Sequence, residues 1–323
     1  MLARFPVERS WFDGSVLVTG AGGCIGSWAL ALLARAGVPV VAFDLSEDRR
    51  RPRLLMGEED LERITWVTGD VADTEAVATV VTQYEISAII HLAALQVPFC
   101  KADPVAGARV NVVGTANVFE AARHNGLKRL AYASSIAALS MFPGAPWLAT
   151  LYGAYKACDE MIGRVYLQDW GVPSVGFRPG VVYGVGRDQG MSSKTTVAVL
   201  AAAAGVPYTV PFRGPVSALH AGEAASAFIR AVSEDRTDAS VFDLNGVATS
   251  VESWLEMLRD LAPEARLDVA GQALPFPADL SDAPVRAYLG DYGAVPLEQG
   301  VQETLQAFRR LLDRGLLSAT AVA

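Results

Sequence analysis

The stretch SVLVTGAGGCIGSWALALLARAG, residues 15–37, decides the fold. It begins with a short apolar run that ends in glycine, as a buried parallel strand does, and continues with helical spacing up to Gly37. Between the two elements, Gly20, Gly23 and Gly26 form the pattern G-x-x-G-x-x-G. A tight turn, a phosphate close to bare backbone and a helix packed near the strand all favour glycine. Because the amides of a helix N-terminus attract phosphate, the stretch predicts a dinucleotide site.

Strands and helices alternate along roughly the first 180 residues. The further predicted strands are VPVVAFD (38–44), ITWVTGD (64–70), AIIHLAA (88–94), RLAYASS (129–135) and SVGFRPGVVYG (174–184). This alternation predicts an α/β fold with a doubly wound (Rossmann) parallel sheet. We expect residues 1–180, with 240–262 returning to them, to form the dinucleotide-binding domain. Residues 181–239 and 263–323 are richer in Pro and Gly and are expected to form a smaller C-terminal substrate-binding part.

Composition excludes several classes of protein. The chain has 27 Lys plus Arg against 35 Asp plus Glu, a net charge of −8, which argues against a nucleic-acid-binding protein. The basic run DRRRPR (48–53) has acidic neighbours and is interpreted as a solvated loop. Three cysteines without a C-x-x-C pair predict neither a disulfide framework nor a metal site, so we expect a cytoplasmic protein. Glycines interrupt the apolar region 16–45, and no membrane span or leader is expected.

A carboxylate at the end of the second strand indicates which dinucleotide binds. Asp44 follows Gly26 by 18 residues, where a carboxylate accepts hydrogen bonds from both hydroxyls of the adenosine ribose. Because it would repel a 2′-phosphate, NAD is favoured as the cofactor. Arg49, Arg50 and Arg51 leave NADP as an alternative, and a doubly wound fold that lost its nucleotide is another.

A helical segment, LYGAYKACDE (151–160), carries the candidate catalytic groups. Tyr152 and Lys156 are four residues apart and share one helix face, whereas Tyr155 points about 100° away from Lys156. A free tyrosine is a poor base, with a pKa of about 10, and an adjacent ammonium is expected to stabilise the tyrosinate. Ser135 ends a predicted strand at the edge of the sheet where ligands bind. We therefore predict a hydride-transfer site in which Tyr152 moves a proton, Ser135 orients the substrate oxygen and Lys156 tunes Tyr152.

These motifs together resemble the extended branch of the short-chain dehydrogenase/reductase superfamily, often called the NAD-dependent epimerase/dehydratase family. The stretches TGAGGCIG, FDLS, GDVAD, HLAA, NVVGT, ASS, YGAYK and RPGVVYG occur in the family's order. The resemblance implies that Asp70 and Val71 flank the adenine and that residues 179–181 cover the nicotinamide. It also implies a homodimer built on the helices that start near Val113 and Tyr152. The predicted cofactor-binding residues are Gly20, Gly23, Cys24, Ile25, Gly26, Asp44, Asp70, Val71, Leu92, Ala93, Tyr152, Lys156, Pro179 and Val181.

The chain departs from the family at the positions that bind nucleotide sugars. Dehydratases resemble TDE where this chain reads SIA (135–137), so elimination of water is not expected. Val181 and Val216 stand where the resemblance would place diphosphate anchors, although Arg187 and Arg213 are possible substitutes. A small residue is usual at the position of Tyr155, which leaves packing, dimer surface and substrate contact open for it.

Three more residues are interpreted as structural. His91 is expected to pack beside the cofactor. His220 is expected to form a structural hydrogen bond, with a substrate ligand as the alternative. Cys24 is interpreted as a small residue in the phosphate loop, with a redox sensor as the alternative.

Three functions remain in competition. The first is an NAD-dependent oxidoreductase acting on a secondary alcohol or ketone of a small polar substrate, such as a sugar, a sugar acid or a hydroxy ketone. The second is a sugar or nucleotide-sugar epimerase that retains NAD and returns the hydride to the opposite face. The third is a regulator that senses NAD without catalysis. The same Ser-Tyr-Lys set serves the first two reactions, so these residues do not separate them.

Overall fold

The computed structural model describes residues 1–322 of the chain. Its strands are β1 Ser15–Thr19, β2 Val40–Asp44, β3 Thr65–Thr68, β4 Ile86–His91, β5 Leu130–Ala133, β6 Ser174–Pro179, β7 Val182–Tyr183, β8 Tyr208–Val210, β9 Pro215–His220, β10 Ala239–Leu244, β11 Val247–Ser250 and β12 Leu267–Val269. Its α-helices are α1 Cys24–Arg35, α2 Glu58–Glu62, α3 Thr74–Gln83, α4 Val97–Ala102, α5 Pro104–Ala108, α6 Gly114–His124, α7 Leu151–Trp170, α8 Lys194–Ala204, α9 Ala221–Ala231, α10 Val251–Leu261, α11 Ala283–Leu289 and α12 Leu297–Asp313. A π-helical turn, Arg109–Val113, leads directly into α6.

Seven strands form the central parallel sheet in the order β10-β6-β5-β4-β1-β2-β3. From β1 the chain runs outward to β2 and β3, and then crosses to β4 on the other side of β1. The strand order therefore reverses between β1 and β4, and ligands of such sheets bind at the carboxyl ends of the strands at this reversal. The predicted α/β doubly wound fold is confirmed.

Helices cover both faces of this sheet because its strands are apolar on both sides. One face carries α1 and α9, with Trp28 and Phe228 fully buried. The other face carries α3, α6 and α7, where Phe119 packs against Tyr132. The long helix α7 begins at Thr150, whose hydroxyl accepts a hydrogen bond from the amide of Gly153, and it ends at a left-handed glycine.

The predicted strand SVGFRPGVVYG is broken at Gly180 into β6 and β7. A Cβ at residue 180 would collide with the side chain of Ser217, whose hydroxyl accepts a hydrogen bond from the Val181 amide at 2.7 Å. The chain therefore leaves the central sheet after β6, and β7 pairs with β9 in a three-stranded sheet, β11-β9-β7. A second small sheet, β12-β8, lies in the C-terminal half of the chain.

The division of the chain at residue 180 stays a prediction. Strand β10 returns to the central sheet beside β6. Helix α9, which falls in the predicted substrate-binding part, packs against α1 of the dinucleotide-binding part. Helix α10, which falls in the predicted dinucleotide-binding part, packs against α8 and α12 of the substrate-binding part. One hydrophobic core spans both parts. In the described part of the chain, no helix combines the length and apolar character needed to cross a membrane.

Candidate active site

A cleft of about 520 Å³ opens at the carboxyl ends of the central strands. It is lined by all but one of the predicted catalytic and cofactor-binding residues. These lining residues are Gly20, Gly23, Cys24, Ile25, Gly26, Asp44, Asp70, Val71, Leu92, Ala93, Ser135, Tyr152, Pro179 and Val181. Lys156 is the exception: its side chain is 1% exposed and lies behind the cleft wall. The roles of these residues remain predictions.

Two glycines of the glycine-rich loop have no room for a side chain. Gly20 has φ +66°, and a Cβ there would lie 2.6 Å from the amide nitrogen of Ala93. A Cβ on Gly26 would collide with the carbonyl oxygen of Gly20 and lie 2.8 Å from that of Ala21. Gly23 begins α1 without any side-chain cap, so the first amides of the helix face the cleft uncapped by a side chain. Bare backbone and uncapped amides at a helix N-terminus fit a dinucleotide pyrophosphate.

Cys24 lies at the first position of α1. Burial raises the pKa of its thiol to about 11, against the opposing effect of nearby Arg187 and Arg51. The thiol therefore stays protonated at neutral pH, and its role in the phosphate loop stays a prediction.

Asp44 places its carboxylate beside the glycine-rich loop. One carboxylate oxygen accepts a hydrogen bond from the Gly22 amide at 2.9 Å, and the other accepts one from the Leu45 amide at 2.8 Å. The backbone thereby fixes the direction of the carboxylate before any ligand arrives. Its position at the end of β2, in the cleft, suits a group that binds the adenosine ribose.

Arg51 differs from the solvated loop that the sequence suggested, whereas Arg50 is 81% exposed. Arg51 has only 15% of its side chain exposed, because it donates hydrogen bonds to the carbonyl oxygen of Gly22 at 2.9 Å and to Asp188 at 2.7 and 3.0 Å. It thus bridges the glycine-rich loop and the loop after β7. Arg49 and Arg50 each pair with a neighbouring acidic side chain.

The two serines that follow β5 make different contacts. Ser135 caps a 3₁₀ turn, where its hydroxyl accepts a hydrogen bond from the Ala137 amide at 3.1 Å, and its side chain lies in the cleft wall. Ser134 is buried and donates a hydrogen bond to Glu160 at 2.5 Å. Glu160 also receives two hydrogen bonds from Arg178 at 2.6 and 2.7 Å, so a buried network joins β5, β6 and α7.

Helix α7 directs its two tyrosines to different places, as its geometry predicts. Tyr152 lines the cleft, whereas Tyr155 leaves it and donates a hydrogen bond to the carbonyl oxygen of Pro104 at 2.9 Å. Tyr155 also packs against Gly107. Of the uses left open for Tyr155, these contacts support packing against α5.

Lys156 forms a buried ion pair that the sequence reasoning missed. Its ammonium lies 3.0 Å from a carboxylate oxygen of Asp159, and both side chains are almost fully buried. Burial opposes the charge of Lys156, yet Asp159 and Tyr152 hold its pKa above the usual range. Burial raises the pKa of Asp159 to about 6, although Lys156 opposes this shift. The spacing of three residues in a helix was the available signal for this pair.

The two buried histidines are not bases at neutral pH. His91 bonds through Nδ1 to the Thr19 hydroxyl at 2.6 Å and through Nε2 to that of Thr115 at 3.2 Å, and burial with nearby Lys156 lowers its pKa to about 3. His220 caps α9, where Nδ1 accepts the Gly222 amide at 3.1 Å, and burial lowers its pKa to about 3. His220 does not line the cleft.

Of the two arginines considered as substitutes for the family's diphosphate anchors, only one lines the cleft. Arg187 does so beside Gln96 and donates a hydrogen bond to Ser192 at 3.2 Å. Arg213 is exposed outside the cleft.

The chain resembles known proteins in sequence. A family model described as the NAD dependent epimerase/dehydratase family matches residues 16–244. The protein named UDP-glucuronate 4-epimerase 6 of Arabidopsis thaliana is 30% identical over 183 residues, which cover 53% of this chain and 40% of that protein. The chain spans about half the length of the curated relatives it matches.

Two solved structures extend the likeness over nearly the whole chain. The UDP-glucose 4-epimerase of Thermus thermophilus, in complex with NAD, superposes with a TM-score of 0.74 at 25% identity, covering 91% of this chain and 99% of its own. A GalE-like L-threonine dehydrogenase from Cupriavidus necator superposes with a TM-score of 0.77 at 24% identity, covering 92% and 99%. One fold therefore carries both types of enzyme.

Proposed function

The chain belongs to the NAD-dependent epimerase/dehydratase family, and we propose that it is an oxidoreductase that transfers a hydride between NAD and a secondary alcohol or ketone. The observation that carries this proposal is that Tyr152 and Ser135 line the same cleft as the glycine-rich loop and Asp44. A proton-transferring group, a hydrogen-bonding hydroxyl and a dinucleotide site thus meet at the carboxyl edge of the sheet. Neither a dinucleotide-binding regulator nor a fold that lost its nucleotide needs this combination.

We propose NAD as the cofactor because the backbone and charges around Asp44 disfavour a 2′-phosphate. The Asp44 carboxylate lies in the cleft wall, held by the Gly22 amide. Arg49, Arg50 and Arg51 are all engaged with acidic side chains. When bound, NAD supplies the hydride acceptor or donor. Asp70 and Val71 are proposed to flank the adenine, and the remaining lining residues to hold the pyrophosphate and the nicotinamide.

Proton movement is assigned to residues of α7 and β5. In the oxidative direction, Tyr152 takes the hydroxyl proton of the substrate, and Ser135 orients the reacting oxygen by a hydrogen bond. Lys156 supports the charged form of Tyr152 from behind the cleft wall. The loop after β7, with Arg187 and Ser192, is proposed to contact the rest of a small polar substrate.

Two apolar residues favour oxidation with release of the reduced cofactor over epimerisation. Val181 is 5% exposed and Val216 is 2% exposed, and both pack where the family resemblance would place anchors for a diphosphate. A sugar or nucleotide-sugar epimerase that retains NAD stays the second candidate. It is supported by the likeness to the Thermus thermophilus epimerase over most of the chain.

A substrate screen tests the proposal. Purified protein is incubated with NAD and sugars, sugar acids, hydroxy ketones and UDP-sugars, and the absorbance of the reduced cofactor is followed. We expect stoichiometric reduction of added NAD with one of the small alcohols and none with the Tyr152→Phe variant. Co-purified NAD, inverted UDP-sugars and no net reduction would overturn the dehydrogenase in favour of the epimerase. Binding of NAD without turnover of any of these compounds would favour a regulator.

We also propose a homodimer formed through α6 and α7. Val113, the last residue of the π-helical turn before α6, is 43% exposed, while Met161 and Val165 on α7 are 61% and 45% exposed. Met161 and Val165 are four residues apart and share one face of α7, which a second copy would cover. Sedimentation at micromolar protein concentration is expected to give a dimer, and a Met161→Glu, Val165→Glu variant a monomer. A 34.2 kDa species from the unmodified chain would contradict the dimer.

We propose the cytoplasm as the location of the protein. Cys24, Cys100 and Cys158 are all free thiols, and a reducing compartment is where unpaired cysteines persist.

A further inference from the structure

The buried ion pair behind the cleft wall bears on the reaction itself. Lys156 and Asp159 lie on one face of α7, with 3.0 Å between the ammonium and a carboxylate oxygen. The exposed fractions of the two side chains are 1% and 0%, so water screens their charges little. Tyr152 lies one helical turn before Lys156 on the same face, and its phenolate contributes to the raised pKa of Lys156. The three side chains therefore form a row from the cleft into the protein.

Asp159 is not fully satisfied by this pair. One of its carboxylate oxygens is buried and has no hydrogen-bond partner among the described residues. The groups that feel its charge are Lys156, Cys158 and Glu160 of α7, Thr115 of α6 and Tyr132 of β5. His91 of β4 and Cys100 of α4 face Lys156. The Glu160 charge is balanced by Arg178. Asp159 is thus the anion that directly balances Lys156.

The charge of Asp159 acts on Tyr152 and Lys156 together. These two residues lie one helical turn apart on the same face of α7, and one of their two protons must leave before Tyr152 can accept a proton from a substrate. A nearby negative charge opposes that loss, whichever of the two groups releases the proton. Removing the Asp159 charge therefore lets this proton leave at lower pH, whether Tyr152 or Lys156 releases it.

We propose that Asp159 is a positioning residue of this site, which holds the Lys156 ammonium behind the cleft wall and sets the lower pH limit at which Tyr152 works as a base. The inference rests on the proposed oxidoreductase function. Asp159 is fully buried and does not line the cleft, so it acts through its contact with Lys156 and through its charge.

The pH dependence of kcat/KM for the oxidation tests the proposal. In Asp159→Asn, which removes the charge and keeps the shape, we expect the acid limb to move down by about 1–2 pH units. Asp159→Glu keeps the charge and is expected to keep the limb near its original position. Asp169→Asn, an exposed acid on the same helix, is the matched control and is expected to leave the profile unchanged. An unchanged limb in Asp159→Asn, or an upward shift, would overturn the proposal.

A second measurement needs no substrate. The ultraviolet difference absorbance of tyrosinate is titrated in the protein without NAD, and the Tyr152→Phe background is subtracted. We expect the tyrosinate signal of Tyr152 to appear at lower pH in Asp159→Asn than in the unmodified chain, and an equal midpoint would count against the inference. If Asp159→Asn does not fold, Asp159→Ser takes its place in both measurements. Full turnover in Tyr152→Phe would instead refute the proposed function and leave this titration as an independent result.

Discussion

The hydroxyl of Tyr155 donates a hydrogen bond to the carbonyl oxygen of Pro104, which turns this ring away from the cleft that Tyr152 lines. Two tyrosines three residues apart thus have unrelated surroundings. We expect Tyr152→Phe to lower kcat by at least about 100-fold, the usual contribution of a positioned acid or base, while the affinity for NAD changes little. Steady-state kinetics and calorimetric titration of NAD measure the two effects.

Tyr155→Phe is the matched control for that prediction. It removes the same hydroxyl from the same helix but breaks only a packing contact, at a cost of about 1 kcal/mol in the free energy of unfolding. We expect its kcat to stay within about twofold of the unmodified enzyme. A similar loss of kcat in both variants would show that Tyr152 has no special role.

Gly26→Ala is expected to destabilise the protein and to abolish NAD binding. The added Cβ would collide with the carbonyl oxygen of Gly20, and because that neighbour is backbone the loop itself must move. We expect a loss of about 3 kcal/mol in the free energy of unfolding, measured by denaturant titration. Gly57→Ala is the control, since a Cβ at residue 57 meets no atom within 4 Å. Equal stability of the two variants would contradict the close packing of the loop.

Asp44→Asn is expected to weaken NAD binding and to reduce the ratio of the affinity for NAD to the affinity for NADP. The amide keeps the shape of the side chain but loses the negative charge that repels a 2′-phosphate and the second acceptor for the ribose hydroxyls. A loss of roughly 10-fold or more in NAD affinity follows from one or two weakened hydrogen bonds to a charged group. Dissociation constants for both dinucleotides check this ratio. An unchanged ratio would place the adenosine ribose elsewhere.

We expect the stability of the protein to depend on pH through Glu223, which does not line the cleft. Burial raises its pKa to about 7 from 4.5, although Arg286 donates a hydrogen bond to it at 2.7 Å and opposes the shift. Because the folded-state pKa is the higher one, the stabilisation is complete below pH 4.5 and is lost as pH rises through 7. We expect the free energy of unfolding to fall by about 3 kcal/mol over that range relative to Glu223→Gln. Parallel pH curves for the two proteins would contradict the shift.

Local sequence patterns were sufficient for the fold and for most of the cleft. Gly20, Gly26 and Asp44 belong to one strand–helix–strand unit, so their spacing alone brings them to the same edge of the sheet. Tyr152 and Tyr155 could be separated by helix geometry because both lie inside one regular element.

Contacts between distant segments had no comparable signal. The bond between Arg51 and Asp188 joins residues 137 positions apart, and composition suggested only a solvated loop. The break at Gly180 depends on Ser217, which reaches it from another sheet. The direction of Lys156 was also beyond the sequence, because helix spacing allows its long side chain to reach either the cleft or Asp159.

The ion pair between Arg51 and Asp188 connects two loops of the cleft. It joins the loop after β2 to the loop after β7, and both residues line the cleft. Asp188 is 59% exposed, and an ion pair open to water on one side contributes only about 1 kcal/mol or less. We therefore expect this cross-link to oppose separation of the two loops far less than a buried ion pair would.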